Sequence, residues 1–184
     1  MTTQVWFETH STTLDNENAR ATGWWPGELS ARGRNRATSL GVRIGDREPA
    51  AIFSSDLERA VQTVRIACQH LDKHPEHLPV FLDWRLRECN YGELNGADHT
   101  QVHGRRMRYL IDPYPGGESW TEAIDRARSG VLDAVGRFRG QTIVIVGHIA
   151  TRLAVQQLAD GTATDELIST TSTWQPGWLV EIDT

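Results

Sequence analysis

The sequence is poor in the residues that build disulfide frameworks and cysteine-based metal sites. Among its 184 residues there are two cysteines, Cys68 and Cys89, and they form no Cys-x-x-Cys pair. This scarcity excludes a disulfide framework and a cysteine zinc site as the organising principle of the fold. Two reduced, partly buried thiols are typical of a cytoplasmic protein, and we expect that location. No spacing of metal ligands is present, and we expect neither a metal nor a cofactor.

Basic residues and long apolar runs are also scarce. The chain has 19 basic against 24 acidic residues, which gives a net charge of −5. An acidic chain is a poor candidate for binding nucleic acid or an anionic membrane. No apolar run approaches the roughly 20 residues that span a bilayer, and residues 1–4 lack the basic and apolar regions of a signal peptide. We therefore expect no nucleic-acid partner and no membrane partner.

Short apolar runs alternate with amphipathic helical patterns along the chain. Strands are predicted at residues 4–7, 50–53, 80–82, 142–146 and 178–182, and helices at 30–45, 57–71, 119–138 and 150–158. Ser30 and Asp56 are predicted N-caps, and Ser119 with Glu122 is a predicted capping box. This alternation predicts one α/β domain over residues 1–184, with three α/β/α layers and a mostly parallel central sheet.

Polar residues follow three of the predicted strands, where parallel sheets bind their ligands. These segments are Thr9-His10-Ser11, Ser54-Ser55-Asp56 and Gly147-His148-Ile149. Arg59 lies in the first turn of the next helix, where a guanidinium and free backbone N–H groups can share one anion. Glu88 follows the third strand in a segment that is too polar to be core. The sequence therefore predicts an anion site at one edge of the sheet.

The ordered set of these segments resembles the histidine phosphatase superfamily, also called phosphoglycerate mutase-like, over nearly the whole chain. Each segment alone is weak evidence, whereas seven in the family's order are specific. In chain order they are Thr9 to Asn16, Thr22-Gly23-Trp24, Leu29-Ser30-Ala31-Arg32-Gly33, Ser54 to Thr63, Leu86-Arg87-Glu88 with Gly92, Gly117-Glu118-Ser119 and Val146-Gly147-His148. The resemblance implies the phosphoglycerate mutase-like version of the three-layer fold.

The resemblance implies catalytic roles for four residues. His10 would be the nucleophile that becomes a phosphohistidine, so that one difficult displacement is split into two easier ones. His148 and Arg59 would hold the oxygens of the transferred phosphoryl group. Glu88 would give a proton to the leaving alkoxide and then act as base for the attacking water.

Further contacts to phosphate or substrate are implied around these four residues. Asn16, the backbone near Thr22 and Gly23, and the N–H of Ile149 match secondary phosphate contacts of the family. Trp24 is a candidate for stacking on a sugar or base, with ordinary packing as the alternative. The remaining histidines lack partners in the pattern and are expected on the surface; they are His70, His74, His77, His99 and His103.

The first motif departs from the family pattern, because Thr9, Ser11 and Thr12 replace an arginine, a glycine and a glutamate. Losing that arginine removes a contact to phosphate worth roughly 1.5–3 kcal/mol. Either another arginine enters the pocket, with Arg20 as the first candidate and hydroxyls such as that of Thr9 as added donors, or the site is weakened or inactive. Because all four implied catalytic residues remain, we favour a working enzyme.

The segment around residues 97–116 is predicted to form a short helical cover. The family's mutases carry a longer segment there that closes over a bisphosphate. A short cover leaves a phosphoenzyme open to water, which favours hydrolysis over return of the phosphoryl group. The cover contains Arg105, Arg106 and Arg108, which form either a solvated helix face or a lid that touches substrate anions.

These features together predict a metal-independent phosphomonoesterase of the histidine acid phosphatase type, with a small phosphorylated metabolite as substrate. A catalytically impaired homologue that only binds a phospho-ligand is the alternative, and a phosphomutase that needs a bisphosphate primer is a third hypothesis. The sequence identifies neither the metabolite nor the oligomeric state.

Overall fold

The computed structural model describes residues 1–71, 78–170 and 175–183, so His74 and His77 lie outside the described residues. Its strands are β1 Thr2–Thr9, β2 Arg20–Ala21, β3 Ala51–Ser54, β4 Val80–Leu82, β5 Ala97–Asp98, β6 Thr142–Gly147 and β7 Trp178–Asp183. Its α-helices are α1 Leu14–Glu17, α2 Ala31–Gly45, α3 Glu58–Cys68, α4 His99–His103, α5 Trp120–Arg137, α6 Ile149–Asp160 and α7 Thr164–Ser169. Short 3-10 turns lie at Trp84–Leu86, Gly92–Leu94 and Arg106–Tyr109.

The central sheet has five strands in the order β4-β3-β6-β1-β7. The first four run parallel, and β7 pairs antiparallel with β1 at the edge. A separate two-stranded ribbon is formed by β2 and β5. The mostly parallel sheet predicted from the apolar runs is thereby confirmed.

Helices cover both faces of this sheet, so its inner strands read as continuous apolar runs. On one face α2 and α3 pack on Trp6, Ile52 and Val144. On the other face α5 and α6 pack on Phe7 and Ile145, which are the next residues along their strands. The three-layer α/β/α fold class is confirmed. Among the described helices, none has the length and apolar character that crossing a bilayer demands.

Two of the three predicted helix starts are confirmed. The Ser30 hydroxyl accepts a hydrogen bond from the backbone N–H of Gly33 at 3.1 Å. Ser119 and Glu122 form a reciprocal capping box at the start of α5. Such caps supply acceptors to helix N–H groups that have no partner within the helix.

The predicted cap at Asp56 is wrong. The N-cap of α3 is Leu57, which makes no side-chain cap. The Asp56 carboxylate instead accepts two hydrogen bonds of 2.6 Å from the guanidinium of Arg87. A bidentate bond to a charged donor is stronger than a cap bond to a neutral amide, so the carboxylate turns away from the helix.

The pairing of β1 with β6 brings together the two histidines that follow these strands. Thr9 lies opposite Gly147 in this parallel pair, and a histidine follows each of them. The N–H of His10 donates to the carbonyl oxygen of Gly147 at 3.0 Å, which continues the ladder past the end of the strand. His10 and His148 are therefore neighbours by strand register, although 137 residues lie between them.

The close approach of α2 to the loop after β1 depends on Gly33. A Cβ at this position would overlap the carbonyl oxygen of Thr12, which belongs to that loop. The same carbonyl accepts the backbone N–H of Ser30 at 3.0 Å. Since a backbone oxygen cannot rotate away, only glycine lets the helix dock beside the histidine loop.

We predict that Gly33→Ala lowers the free energy of unfolding by about 1–3 kcal/mol, because the added methyl forces the helix and loop apart. The matched control is Gly136→Ala in α5, where an added Cβ meets nothing within 4 Å. Better helix propensity should make that variant equal to the parent or up to about 1 kcal/mol more stable. Urea unfolding compares them, and equal stabilities for the two variants would contradict the packing argument.

Candidate active site

A cleft of about 500 Å³ opens at the carboxyl ends of β1, β3 and β6. Most of the residues that the sequence singled out line it, and these are Thr9, His10, Asn16, Arg20, Thr22, Gly23, Arg59, Glu88 and Ile149. His148 lies directly beneath this wall, with its ring centroid 5.0 Å from that of His10. The topology thus collects residues from five separate segments in one place.

His10 offers Nε2 as a nucleophile. Its Nδ1 lies 2.8 Å from the carbonyl oxygen of Ser11, so Nδ1 carries the proton and Nε2 keeps its lone pair. The Nε–H of Arg59 donates to this Nε2 at 3.3 Å. Burial, with the charge of Arg59 as second cause, lowers the pKa of His10 to about 3. The ring is therefore neutral at pH 7, as nucleophilic attack requires.

His148 has the opposite tautomer. A guanidinium can only donate, and Nη2 of Arg59 lies 3.2 Å from Nδ1 of His148. The ring proton is therefore on Nε2, and this buried atom has no hydrogen-bond partner among the described residues. Burial, then the nearby charge of Arg59, holds the pKa of His148 well below its ordinary value. An unpartnered N–H beside a nucleophile is suited to meet an oxygen of a phosphoryl group.

Arg59 connects the two histidines to the loop that follows β2. The side chain is 2% exposed, and it donates to the carbonyl oxygens of Gly23 and Trp25 at 2.8 Å each. Burial lowers the pKa of Arg59 to about 10, although the charge of Glu88 opposes this effect. The guanidinium is therefore still cationic at pH 7, and it brings a positive charge to the floor of the cleft.

Glu88 lies at the N-terminus of α6. Its carboxylate accepts the backbone N–H groups of Ile149 at 3.2 Å, Ala150 at 3.1 Å and Cys89 at 3.0 Å. Helix N-termini favour anions because their first N–H groups lack partners and the helix dipole is positive there. The Ile149 N–H, which was expected to contact phosphate, donates to this carboxylate in the structure.

Trp24, the candidate for stacking on a sugar or base, is not among the described residues that line the cleft. Its stacking role stays a prediction. The indole N–H donates to the carbonyl oxygen of Glu88 at 2.7 Å, and the guanidinium of Arg87 lies 4.8 Å from the ring centroid. A partly buried indole N–H needs an acceptor, and the carbonyl oxygen of Glu88 supplies it. Trp24 thereby supports the backbone of Glu88.

Asn16 and Thr22 reach the cleft with side chains that are already held in place. Oδ1 of Asn16 accepts the N–H of Thr13 at 3.0 Å in the capping box of α1, so Nδ2 is the donor it can offer a ligand. The Thr22 hydroxyl donates to the carboxylate of Asp15 at 3.0 Å. The next residue, Gly23, has φ +56°, a value that favours glycine and directs its carbonyl to the buried guanidinium.

The outer wall of the cleft was missed by the sequence analysis. His103 and Tyr91 line it. The Nδ1 atom of His103 and the hydroxyl of Tyr91 are buried and have no hydrogen-bond partner among the described residues. The ring of His99 lies 4.2 Å from that of His103. The expected surface position is correct for His70, which is exposed, but wrong for His103. The spacing of His99 and His103 on one helix face was the available signal.

Burial is the main cause that lowers the pKa of His103 to about 3. Arg106 donates from Nε to the carbonyl oxygen of His103 at 3.2 Å. The described lining of the cleft includes none of the three arginines of the cover segment, Arg105, Arg106 and Arg108. The hypothesis of a lid that touches substrate through these arginines therefore has no support.

Four other arginines line the cleft, namely Arg20, Arg32, Arg36 and Arg152. Arg20, the sequence candidate for replacing the absent arginine, donates from Nη1 to the carbonyl oxygen of Gly96 at 3.0 Å. Arg36 of α2 donates from Nη1 to the Thr12 hydroxyl at 2.9 Å. With Arg59 in the floor, the cleft is well supplied with cations and is suited to a phosphorylated ligand.

Comparison with known families gives a match over residues 5–172 to the histidine phosphatase superfamily (branch 1). A 2,3-bisphosphoglycerate-dependent phosphoglycerate mutase of Tropheryma whipplei (strain Twist) is 38% identical over 95 residues, which cover 50% of this chain and 42% of the mutase. The same enzyme of Bifidobacterium longum (strain DJO10A) is 25% identical over 192 residues, covering 86% of this chain and 77% of the mutase. The chain spans less than half the length of the first curated relatives it matches.

Solved structures with the same fold include phosphatases. Bacillus stearothermophilus YhfR superposes with a TM-score of 0.78 at 28% identity, covering 94% of this chain and 87% of that one. A mycobacterial glucosyl-3-phosphoglycerate phosphatase complexed with VO3 gives a TM-score of 0.80 at 24% identity, covering 97% and 90% of the two chains. At the latter identity the likeness shows the fold alone.

We predict that His10 makes the protein sensitive to acid. The unfolded chain protonates this ring near pH 6.5, whereas burial holds the folded pKa near 3. The folded state therefore binds fewer protons, and its stability declines as the pH falls below 6.5. In His10→Asn, the decline between pH 7 and 4.5 should be smaller by on the order of 2 kcal/mol.

Urea unfolding in buffers without phosphate measures this decline, since a bound anion would add its own pH dependence. His70→Asn is the control, because that ring is exposed. We expect the control to keep the decline of the parent protein. The same decline in His10→Asn as in the control would contradict the assignment of a neutral His10 with a lowered pKa.

Proposed function

Because the chain belongs to the histidine phosphatase superfamily, we propose that it hydrolyses a small phosphomonoester through a phosphohistidine on His10, without a metal ion. The observation that carries this proposal is the complementary pair of tautomers around Arg59. The partly buried His10 offers a lone pair on Nε2, and the buried His148 offers an N–H on Nε2 with no partner among the described residues. A nucleophile and an oxyanion donor are thereby set beside one cation.

In the first step, Nε2 of His10 attacks phosphorus, and the bond between phosphorus and the ester oxygen breaks. The departing alkoxide takes a proton from the carboxyl group of Glu88 and leaves as an alcohol. Glu88 takes up this proton when the substrate binds. The oxygens of the transferring group are met by the guanidinium of Arg59 and by the Nε2–H of His148. The phosphoryl group is then bonded to His10.

In the second step, water attacks the phosphohistidine while the carboxylate of Glu88 accepts one of its protons. The nitrogen–phosphorus bond breaks, its electron pair returns to Nε2 of His10, and inorganic phosphate is formed. Glu88 thereby regains the proton that it gave to the alkoxide. The sum of both steps is the conversion of an ester and water into an alcohol and phosphate.

Two observations support hydrolysis over mutase activity. The cover over the cleft consists of the short ribbon β2–β5, the five-residue helix α4 and a 3-10 turn, so water reaches the phosphohistidine. The arginines of this cover do not line the cleft. The similarity to mutases favours phosphomutase activity as the second candidate function.

We predict phosphate release from a panel of phosphomonoesters in the presence of a metal chelator. His10→Ala should abolish it, because the nucleophile is gone. The matched control is His70→Ala, which removes an exposed histidine and should keep the rate of the parent protein. Retention of most activity in His10→Ala would refute the phosphohistidine mechanism.

The panel also separates the alternatives. No release from any ester, together with phosphate-dependent thermal stabilisation, would indicate a protein that only binds phospho-ligands. An isomer in place of inorganic phosphate, formed only with a bisphosphate primer, would indicate a mutase.

We predict that Glu88→Gln acts according to the leaving group. Alkyl phosphates need a proton on the departing oxygen, so their turnover should fall by about 10²–10⁴-fold. Aryl phosphates leave as stable phenolates and should lose much less. A steady-state comparison of the two ester classes measures the difference. Equal losses for both classes would show that Glu88 does not protonate the leaving group.

A further inference from the structure

Because Thr9 replaces the family's arginine, β1 supplies no cation beside His10. Thr9 and His10 line both the main cleft and a smaller pocket of about 60 Å³ on the α2 side. Among the described residues, Arg36 is the one other residue that lines both of these spaces. A cationic side chain from a different element therefore lies beside a position where β1 supplies only the side-chain hydroxyl of Thr9.

We propose that Arg36 makes the cationic contact to the transferred phosphoryl group that Thr9 cannot make. This inference rests on the proposed function, since it names a residue for the same phosphoryl site. The contact is supplied from α2 instead of β1, through the two spaces that Arg36 lines together with Thr9 and His10.

The position of Arg36 is set by the docking of α2. Gly33 and the Ser30 cap hold the first turn of the helix against the backbone of Thr12. One turn further on, Nη1 of Arg36 donates to the hydroxyl of Thr12 at 2.9 Å. The side chain is thus directed towards the loop that carries His10.

The surroundings of Arg36 favour an anion. Burial, then the charge of Arg32 on the same helix face, holds the pKa of Arg36 below its ordinary value. Three carboxylates line the same two spaces among the described residues. Glu8 binds the guanidinium of Arg43 at 3.1 Å, Glu17 accepts the hydroxyl of Ser30 at 2.7 Å, and Glu88 accepts two backbone N–H groups of α6. An oxyanion between the cleft and the small pocket would relieve the repulsion between neighbouring cations.

Arg20 is less suited to this role and provides the control. It lies on β2 in the separate ribbon, and it lines the main cleft but not the small pocket beside Thr9. Its guanidinium donates to the carbonyl oxygen of Gly96, which holds it at the rim. The two arginines therefore share charge and cleft but differ in their access to His10.

The experiment compares Arg36→Gln, Arg20→Gln, Thr9→Arg and the double variant Thr9→Arg/Arg36→Gln. We expect Arg36→Gln to lower kcat/KM for phosphate release by about 10- to 100-fold, the value of one charge-assisted hydrogen bond. Arg20→Gln should lower it by less than about threefold. The double variant should recover most of the loss, because an arginine is restored beside His10. If Arg36 had only a structural role, the arginine introduced at position 9 on β1 would not restore the activity.

Binding of inorganic phosphate, measured by calorimetry, makes the test independent of turnover. Arg36→Gln should weaken phosphate binding more than Arg20→Gln, and Arg36→Lys should retain more than Arg36→Gln because the charge is kept. Thermal unfolding without phosphate identifies any variant that fails to fold.

Equal effects of the two glutamine variants, or a double variant no better than Arg36→Gln, would overturn the inference. If the parent protein binds phosphate but releases none from any ester, the proposed function fails while the binding comparison still decides the role of Arg36. If the parent protein neither binds nor releases phosphate, both proposals are overturned.

Discussion

The buried guanidinium of Arg59 is the interaction on which the candidate site depends. Its three nitrogen groups reach both histidine rings and the carbonyl oxygens of Gly23 and Trp25. Because a guanidinium only donates, it requires an acceptor nitrogen on each ring. The backbone of Ser11 then selects Nε2 as that acceptor on His10, whereas His148 accepts through Nδ1. One side chain thus sets the loop position and orients both imidazoles.

The N-terminus of α6 positions Glu88 next to His148. The same helix terminus that follows His148 holds the carboxylate of Glu88 through two of its first N–H groups. Trp24 and Arg126 fix the carbonyl of Glu88 from the other side, at 2.7 and 3.1 Å. An acid or base that is held at both its side chain and its backbone keeps its position relative to the nucleophile. Trp24 therefore supports the site through the backbone of Glu88.

The altered first motif is easier to understand in three dimensions than along the chain. Thr9 stands where the family has an arginine at the end of β1. The helix α2 docks against the adjoining loop, and its Arg36 lines a pocket together with Thr9 and His10. In such folds the phosphoryl site is made by side chains from several elements. A charge lost from one element can therefore be supplied by another without a change in the backbone.

The sequence by itself determined the features that depend on local spacing. Apolar runs and helical periodicity were sufficient for the three-layer fold, and short motifs were sufficient for the caps at Ser30 and Ser119. Resemblance to a family added the positions of His10, Arg59, Glu88 and His148, which the structure brings to one cleft.

Only the tertiary structure decided which way individual side chains turn. Asp56 binds Arg87 instead of capping α3, and Trp24 donates to the carbonyl oxygen of Glu88. His103 lines the cleft. Arg36, not Arg20, came to border both spaces beside Thr9. These outcomes depend on which strands are neighbours and on competition between hydrogen-bond partners far apart in the chain. Strand adjacency and long-range competition between hydrogen-bond partners leave no periodic pattern in a local stretch of sequence, so such a stretch cannot predict them.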